Sequence, residues 1–305
     1  MLLSVLLVLN LSVAVSASAK SDVFLKPEDI TVEHVEAISQ GELSAIFTQL
    51  AHKFNQKVKT QTDYKKAEKL IASHASIMSS TSEFISPSYT TTSSTYDTNK
   101  AKLRQANYIE TILDLDEGIT ATQITKVVVT HANTAKSAAK SAYPNDSQKE
   151  DAFRHYAWNF LSTKDSTIGK IKTRTITINH EWGLVLLTPV LNYYDSQYQT
   201  YLSSGETQTS AANKAFADVT LWIPDLKYQL VILCQNSLST FKALFSAGNI
   251  MDLYNNCYGR SGPENYPNKT YAQAFNLDYS SLILSEATVT NYFYSYVWES
   301  DWYSS

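Results

Sequence analysis

Along this chain apolar residues recur at intervals of three and four rather than at every second position. Leu43, Ile46, Phe47, Leu50 and Phe54 form one such series within 42–58, the spacing that places side chains on one face of a helix. The stretch 63–78 continues in the same way, and 101–113 predicts a further helix. In 121–142 the stripe is Ile124, Val127, Val128, His131, Ala132, Ala135, Ala138, Ala139 and Ala142. Its small residues would let a second helix pack closely, and His131 reads as a hydrogen-bonded core residue rather than a ligand. Pro144 to Ser147 then turns the chain. Ser147, with Glu150 three residues on, is expected to cap the next helix as a capping box.

Beyond this helix, 163–170 reads as a turn, and Pro189 should kink or end any helix in 176–194. A helix over 205–220 is opened by Thr207 or Thr209. The apolar run 221–244 predicts a central buried helix interrupted near Pro224, and the Gly and Pro residues of 259–269 predict a loop. The aromatic C-terminus, from Tyr292 to Trp302, is expected to pack over the core rather than to form a carbohydrate-stacking surface. The expected fold is mainly α: a multi-helix globular domain with a polar site between helices, preceded by a small helical N-terminal segment. Only 8 Gly and 7 Pro in 305 residues argue against a turn-rich β-sandwich.

Composition divides the chain further. The apolar run from Leu2 to Val15, followed by small residues in Ala-x-Ala-like spacing, predicts a secretory signal peptide over 1–19. A membrane anchor fits less well, because the run is short and Asn10 breaks it. The expectation is therefore a secreted protein with no transmembrane anchor after signal cleavage. Residues 20–78 form the N-terminal helical segment, 79–99 a Ser/Thr-rich linker, and 100–305 the main helical domain. A net charge of −4 without a basic run excludes an electrostatic case for nucleic acid. Cys234 and Cys257 are the only cysteines, and in a secreted chain the pair is expected as a disulfide.

The candidate chemistry begins at Asp151. On a helix, Asp151, Arg154, His155, Trp158 and Asn159 fall within an arc of roughly 140°. A solvent face is usually built from Lys, Glu and Gln, whereas this one carries an acid, a guanidinium, an imidazole, an indole and an amide. Two later stretches look like its partners: His180-Glu181-Trp182-Gly183, and Met251 to Arg260. In the second, Asp252, Asn255, Asn256 and Gly259 share a face if the segment is helical. No G-x-S-x-G elbow, Walker loop, G-x-G-x-x-G or H-E-x-x-H is present.

The leading expectation is a secreted hydrolase acting on an ester, phosphodiester, amide or glycosidic bond. Its candidate catalytic residues are His155, His180, Asp151, Asp252, Glu181 and Arg154. Trp158, Asn159, Asn255, Asn256 and Arg260 are candidate substrate contacts. One divalent metal ion held by His155, His180 and Asp252 would lower the pKa of a bound water. Without a metal, His155 would act as general base, with Arg154 or Arg260 opposite developing negative charge. The alternative is a non-catalytic secreted binding or structural protein whose polar cluster is an internal hydrogen-bond network.

The order DAFRHxxWN, then HE, then MDxxNNxxGR resembles a bacterial domain of unknown function that occurs in secreted, wall-associated and toxin-like proteins. The resemblance spans Asp151 to Arg260. Members often read DAFRHAYWN and MDLHNN, so here Tyr156-Ala157 is transposed and Tyr254 stands where a His is common. It implies a site without naming a substrate, and it adds an envelope-targeting toxin to the alternatives.

Overall fold

Short polar side chains start most of the helices. The structure, a computed structural model, describes residues 30–79, 94–300 and 302–303. The expected signal peptide, and 80–93 of the expected linker, lie outside the described residues. Ser39 opens α1 (Gln40–Asn55) by accepting the Glu42 N–H, while the Glu42 carboxylate takes the Ser39 N–H. This capping box satisfies two donors that a helix start otherwise leaves open. After α2 (Gln61–Ser79), Ser94 caps α3 (Thr95–Leu103), which begins inside the stretch expected as linker and leads to α4 (Ala106–Asp116). Helix α5 (Ala121–Ile124) passes through a π-helical segment, Thr125–His131, into α6 (Ala132–Ala142).

The cap of α7 (Ser147–Lys164) is Asp146, one residue before the expected Ser147; its carboxylate accepts the Lys149 N–H at 3.1 Å. Next come α8 (Gly169–Val185) and α9 (Leu187–Ser203), which part at Leu186. Pro189 sits in the first turn of α9, where its missing N–H costs no intrahelical bond. Thr207 caps α10 (Gln208–Gln235). The chain then forms α11 (Leu238–Leu244), α12 (Ala247–Asn265), α13 (Tyr271–Asp278) and α14 (Asn291–Ser300). Helix is the only regular structure among the described residues, so the mainly α expectation holds.

Two expectations about breaks fail. Helix α10 runs through Pro224 without interruption and ends at Gln235. Burial of Trp222, Ile223, Leu226 and Leu230 on either side of the proline, at roughly 1.5–3 kcal/mol per large side chain, offsets the lost hydrogen bond. Of the segment expected as a loop, residues 259–265 are instead the last turns of α12, with Pro263 inside the helix, and 266–269 lie outside it as expected.

Apolar side chains gather in two cores. One surrounds α10 and includes Leu50, Phe54, Leu70, Trp182, Trp222, Phe241 and Trp302. Helix α1 packs on α10 and α11, and α2 on α10 and α4, so both feed this core. The aromatic C-terminus packs as expected: Trp302 is buried, and the Trp182 indole donates to its carbonyl at 2.9 Å. The second core surrounds α7, with Phe153, Tyr156, Phe160 and Phe275 meeting Ala135 and Ala139 of α6. Small residues on α6 thus do what their stripe predicts.

The expected disulfide is absent. Cys234 and Cys257 are both free thiols. Cys234 is enclosed in the first core, where burial pushes its thiol pKa up. Cys257 points instead toward Arg260, whose Nη2 is 3.6 Å from its sulfur. Among the described residues no helix is long and apolar enough to cross a membrane.

Candidate functional site

Helix α12 lies pressed against α7 because Gly259 and Gly262 present no side chain there. A Cβ on Gly259 would fall 2.5 Å from the Tyr156 carbonyl oxygen, and one on Gly262 would fall 2.6 Å from Phe160 Cδ2. Asn256 and Asp252 precede Gly259 by about one and two turns. The same close approach therefore carries both against His155. Helix α8 closes the third side with Thr177, His180 and Glu181.

The deeper half of this junction is a buried polar network of fixed polarity. Asn159 donates from Nδ2 to the His155 carbonyl at 2.9 Å, and its Oδ1 accepts from Arg260 Nη1 at 3.2 Å and Thr177 Oγ1 at 3.1 Å. A carbonyl can only accept and a guanidinium can only donate, so the orientation of this amide is determined. Asn159 Nδ2 also donates to Asn256 Oδ1 at 2.5 Å, which fixes Asn256 in turn. His155 Nδ1 lies 3.2 Å from that same oxygen and must carry the proton. The consequence is chemical: Nε2 presents its lone pair outward. Asn256 Nδ2 stays buried without a hydrogen-bond partner, an arrangement that costs about 1–3 kcal/mol.

Around that lone pair lies the outer half. His155 Nε2 is 3.5 Å from Asp252 Oδ2, 4.0 Å from Asp151 Oδ1 and 3.1 Å from Arg154 Nη2. Arg154 also bonds the Asp151 carboxylate. One ligand atom from each of Asp151, His155 and Asp252 lies within 4.8 Å of the others, close enough to share one cation. His155 is 2% exposed at the floor, whereas Arg154 and Asp151, at 40% and 30%, form the rim.

Charge here is concentrated and poorly solvated. Burial, then the Arg154 and His180 charges, holds the His155 pKa well below its usual range, so the ring is neutral at pH 7. Burial, then the carboxylates of Glu181 and Asp151, raises the pKa of Asp252. Glu181 is raised as well, chiefly by burial. Its Oε2 accepts from Asn249 at 2.9 Å, while its Oε1 and Asp252 Oδ1 are buried without hydrogen-bond partners. Burial opposes a charge on His180, but the Glu110 carboxylate, 3.0 Å from Nδ1, prevails and lifts its pKa to about 9.

The expected site residues therefore separate. Asp151, Arg154, His155 and Asp252 converge. Asp151 takes the place in the cation-sized triad that was expected of His180, which instead pairs with Glu110. Glu181 lies behind the triad. Asn159, Asn256 and Arg260 form the inner network. Trp158 is buried, with its indole donating to the Val127 carbonyl of the π-helical segment at 2.8 Å. Asn255 faces elsewhere: its amide clamps the Ile283 backbone with bonds of 2.7 and 3.0 Å.

A model of a domain of unknown function, DUF6973, matches residues 119–186. The match takes in the Asp151–Asn159 stretch and His180-Glu181, and stops short of Asp252. No curated protein matches the chain, and no solved structure matches it.

Several participants were not singled out from the sequence. Glu110 and Asp114 of α4, with Glu117 at its C-cap, line one side of α8, where Asn179 bonds Asp114 at 2.8 Å and Lys227 bonds both Asn179 and Glu117. Their signal was available: three acids at helical spacing beside Ile109, Ile112 and Leu113 mark a polar stripe on an otherwise buried helix.

Proposed function

We propose that this chain is an exported hydrolase whose reactive centre is a divalent metal site formed by Asp151, His155 and Asp252. The observation that carries this reading is the neutral His155, with its Nε2 lone pair turned toward two carboxylates within cation-sharing distance. The buried, unbonded Asp252 Oδ1 fits the same reading, because a carboxylate oxygen in that state is costly unless a cation or proton joins it. One imidazole and two carboxylates suit a first-row divalent ion such as Mn2+ or Zn2+. Such an ion supplies a water of lowered pKa and a polarising positive charge. The chain's own residues do the rest. Asn256 holds the His155 tautomer, Glu181 adds negative charge behind the ligands, and Arg154 stands at the rim beside incoming substrate. Export is supported by the apolar N-terminal run and its small-residue end.

Elemental analysis of the full chain, purified without a chelating tag, tests this reading. About one equivalent of metal per chain is expected for a single site of this kind, with loss in His155→Ala and Asp252→Ala. No bound metal, together with no thermal shift on adding Mn2+ or Zn2+, overturns it. A second reading, a non-catalytic protein with a structural polar network, is favoured by the complete burial of Asn159, Asn256 and Thr177. Under that reading His155→Ala lowers stability and leaves no binding function to lose.

A further inference from the structure

Arg154 already sits where a metal would have to go. Its Nη2 bonds the Asp151 carboxylate and lies 3.1 Å from His155 Nε2, so it engages two of the three proposed ligands. His155 offers one lone pair at Nε2, because Nδ1 keeps its proton against Asn256. A guanidinium N–H and a metal ion cannot both take that lone pair, and two cations in contact repel. We infer that Arg154 is the counter-cation of the metal-free site. On this inference, metal entry turns it outward, where it binds an oxyanionic substrate group of the phosphate-ester class.

This rests on the metal reading above and deepens it. Arg154 has room to move, since its side chain is 40% exposed at the rim while His155 is 2% exposed below it. Once released, its planar fork would stand beside the bound ion. A guanidinium matches two oxygens of a phosphate in geometry and charge, and a neutral amide or glycoside gains much less from it. Three carboxylates, Asp151, Asp252 and Glu181, gather at this site, so an anionic substrate requires both the ion and the arginine to approach.

Calorimetric titration of Mn2+ into the wild type and Arg154→Met tests the displacement. Mn2+ should bind the variant about tenfold tighter, the scale of one competing charge-assisted hydrogen bond. Inorganic phosphate titrated into the Mn2+-loaded proteins should bind the variant about tenfold more weakly. If the wild type binds Mn2+ and the variant binds it equally or less tightly, the inference is overturned while the metal reading stands. Unchanged phosphate affinity overturns the substrate assignment. If neither protein binds Mn2+, the metal reading itself fails and takes this inference with it. Should Arg154→Met not fold, Arg154→Lys carries the test. It keeps a charge but loses the fork, so phosphate binding should weaken, and unchanged phosphate binding overturns the assignment.

Discussion

The inner and outer halves of the polar face of α7 lie one turn apart and differ in kind. The inner half, built on Asn159, Asn256, Thr177 and Arg260, is buried and uses amides, a hydroxyl and a guanidinium that keep one state across ordinary pH. The outer half, Asp151, Arg154, His155 and Asp252, gathers carboxylates, an imidazole lone pair and a guanidinium around one point, and it leaves a carboxylate oxygen without a hydrogen bond. The first arrangement suits a scaffold and the second suits chemistry. What joins them is one shared atom, Asn256 Oδ1, which accepts from Asn159 on one side and His155 on the other.

The largest effect should come from breaking the inner half. In Gly259→Ala the new methyl would meet the Tyr156 backbone at 2.5 Å. A loss of about 3 kcal/mol, as for overpacked cores, should appear in chemical denaturation, whether or not a metal is bound. A Gly259→Ala protein as stable as the wild type would show that α7 and α12 are free to move apart.

Asn256→Ala probes the atom the halves share. It should weaken Mn2+ binding about 10–100-fold, as expected when the group orienting a ligand histidine is lost. Because it also removes the unbonded Nδ2, its cost in stability should stay near ~1 kcal/mol. Isothermal titration and a denaturant melt on the same sample give both numbers, and the reverse ranking would place Asn256 with the scaffold alone.

Asp252→Asn should separate binding from stability. Metal binding is lost, yet the metal-free variant should melt higher than the wild type at pH 7, because a poorly solvated charge has gone. The folded pKa of Asp252 is raised above its ordinary 3.8. Stability is therefore lost as pH rises from that ordinary value through the folded one. The gap in Tm should open on that rise and close again below about pH 4. A gap that is constant with pH would contradict the assignment of this carboxylate.

The smallest effect is expected at Trp158→Phe. It removes the indole bond to Val127 for about 1 kcal/mol and should leave Mn2+ affinity unchanged. A fall in Mn2+ affinity would draw Trp158 into the outer half.

Helicity was legible because the apolar spacing of α1, α2 and α6 repeats over several turns, and the Asp151 stretch was legible because its polar types are unusual for a wetted face. Breaks and pairings were less so. Pro224 lies within a helix because burial of its neighbours outweighs a local penalty of ~3 kcal/mol, and Pro263 lies in the last turn of α12. Gly259 reads locally as an end signal, and only the presence of α7 shows it to be a contact. The disulfide expectation rested on composition, which carries no information about which way each thiol points. His180 shares a sequence stretch with Glu181, but its partner, Glu110, comes from a helix 70 residues earlier.

The π-helical segment Thr125–His131 carries one further consequence. A wider turn of this kind accommodates a surplus residue within an otherwise continuous helix. Deleting one position there would let the backbone relax to ordinary pitch with the helix on either side still in register, whereas inserting another would rotate one side against the other by about 100°. After such an insertion Ile124 and Ala135, buried now on the two sides of the segment, could no longer face the core together. The segment should therefore tolerate the loss of one residue better than the gain of another.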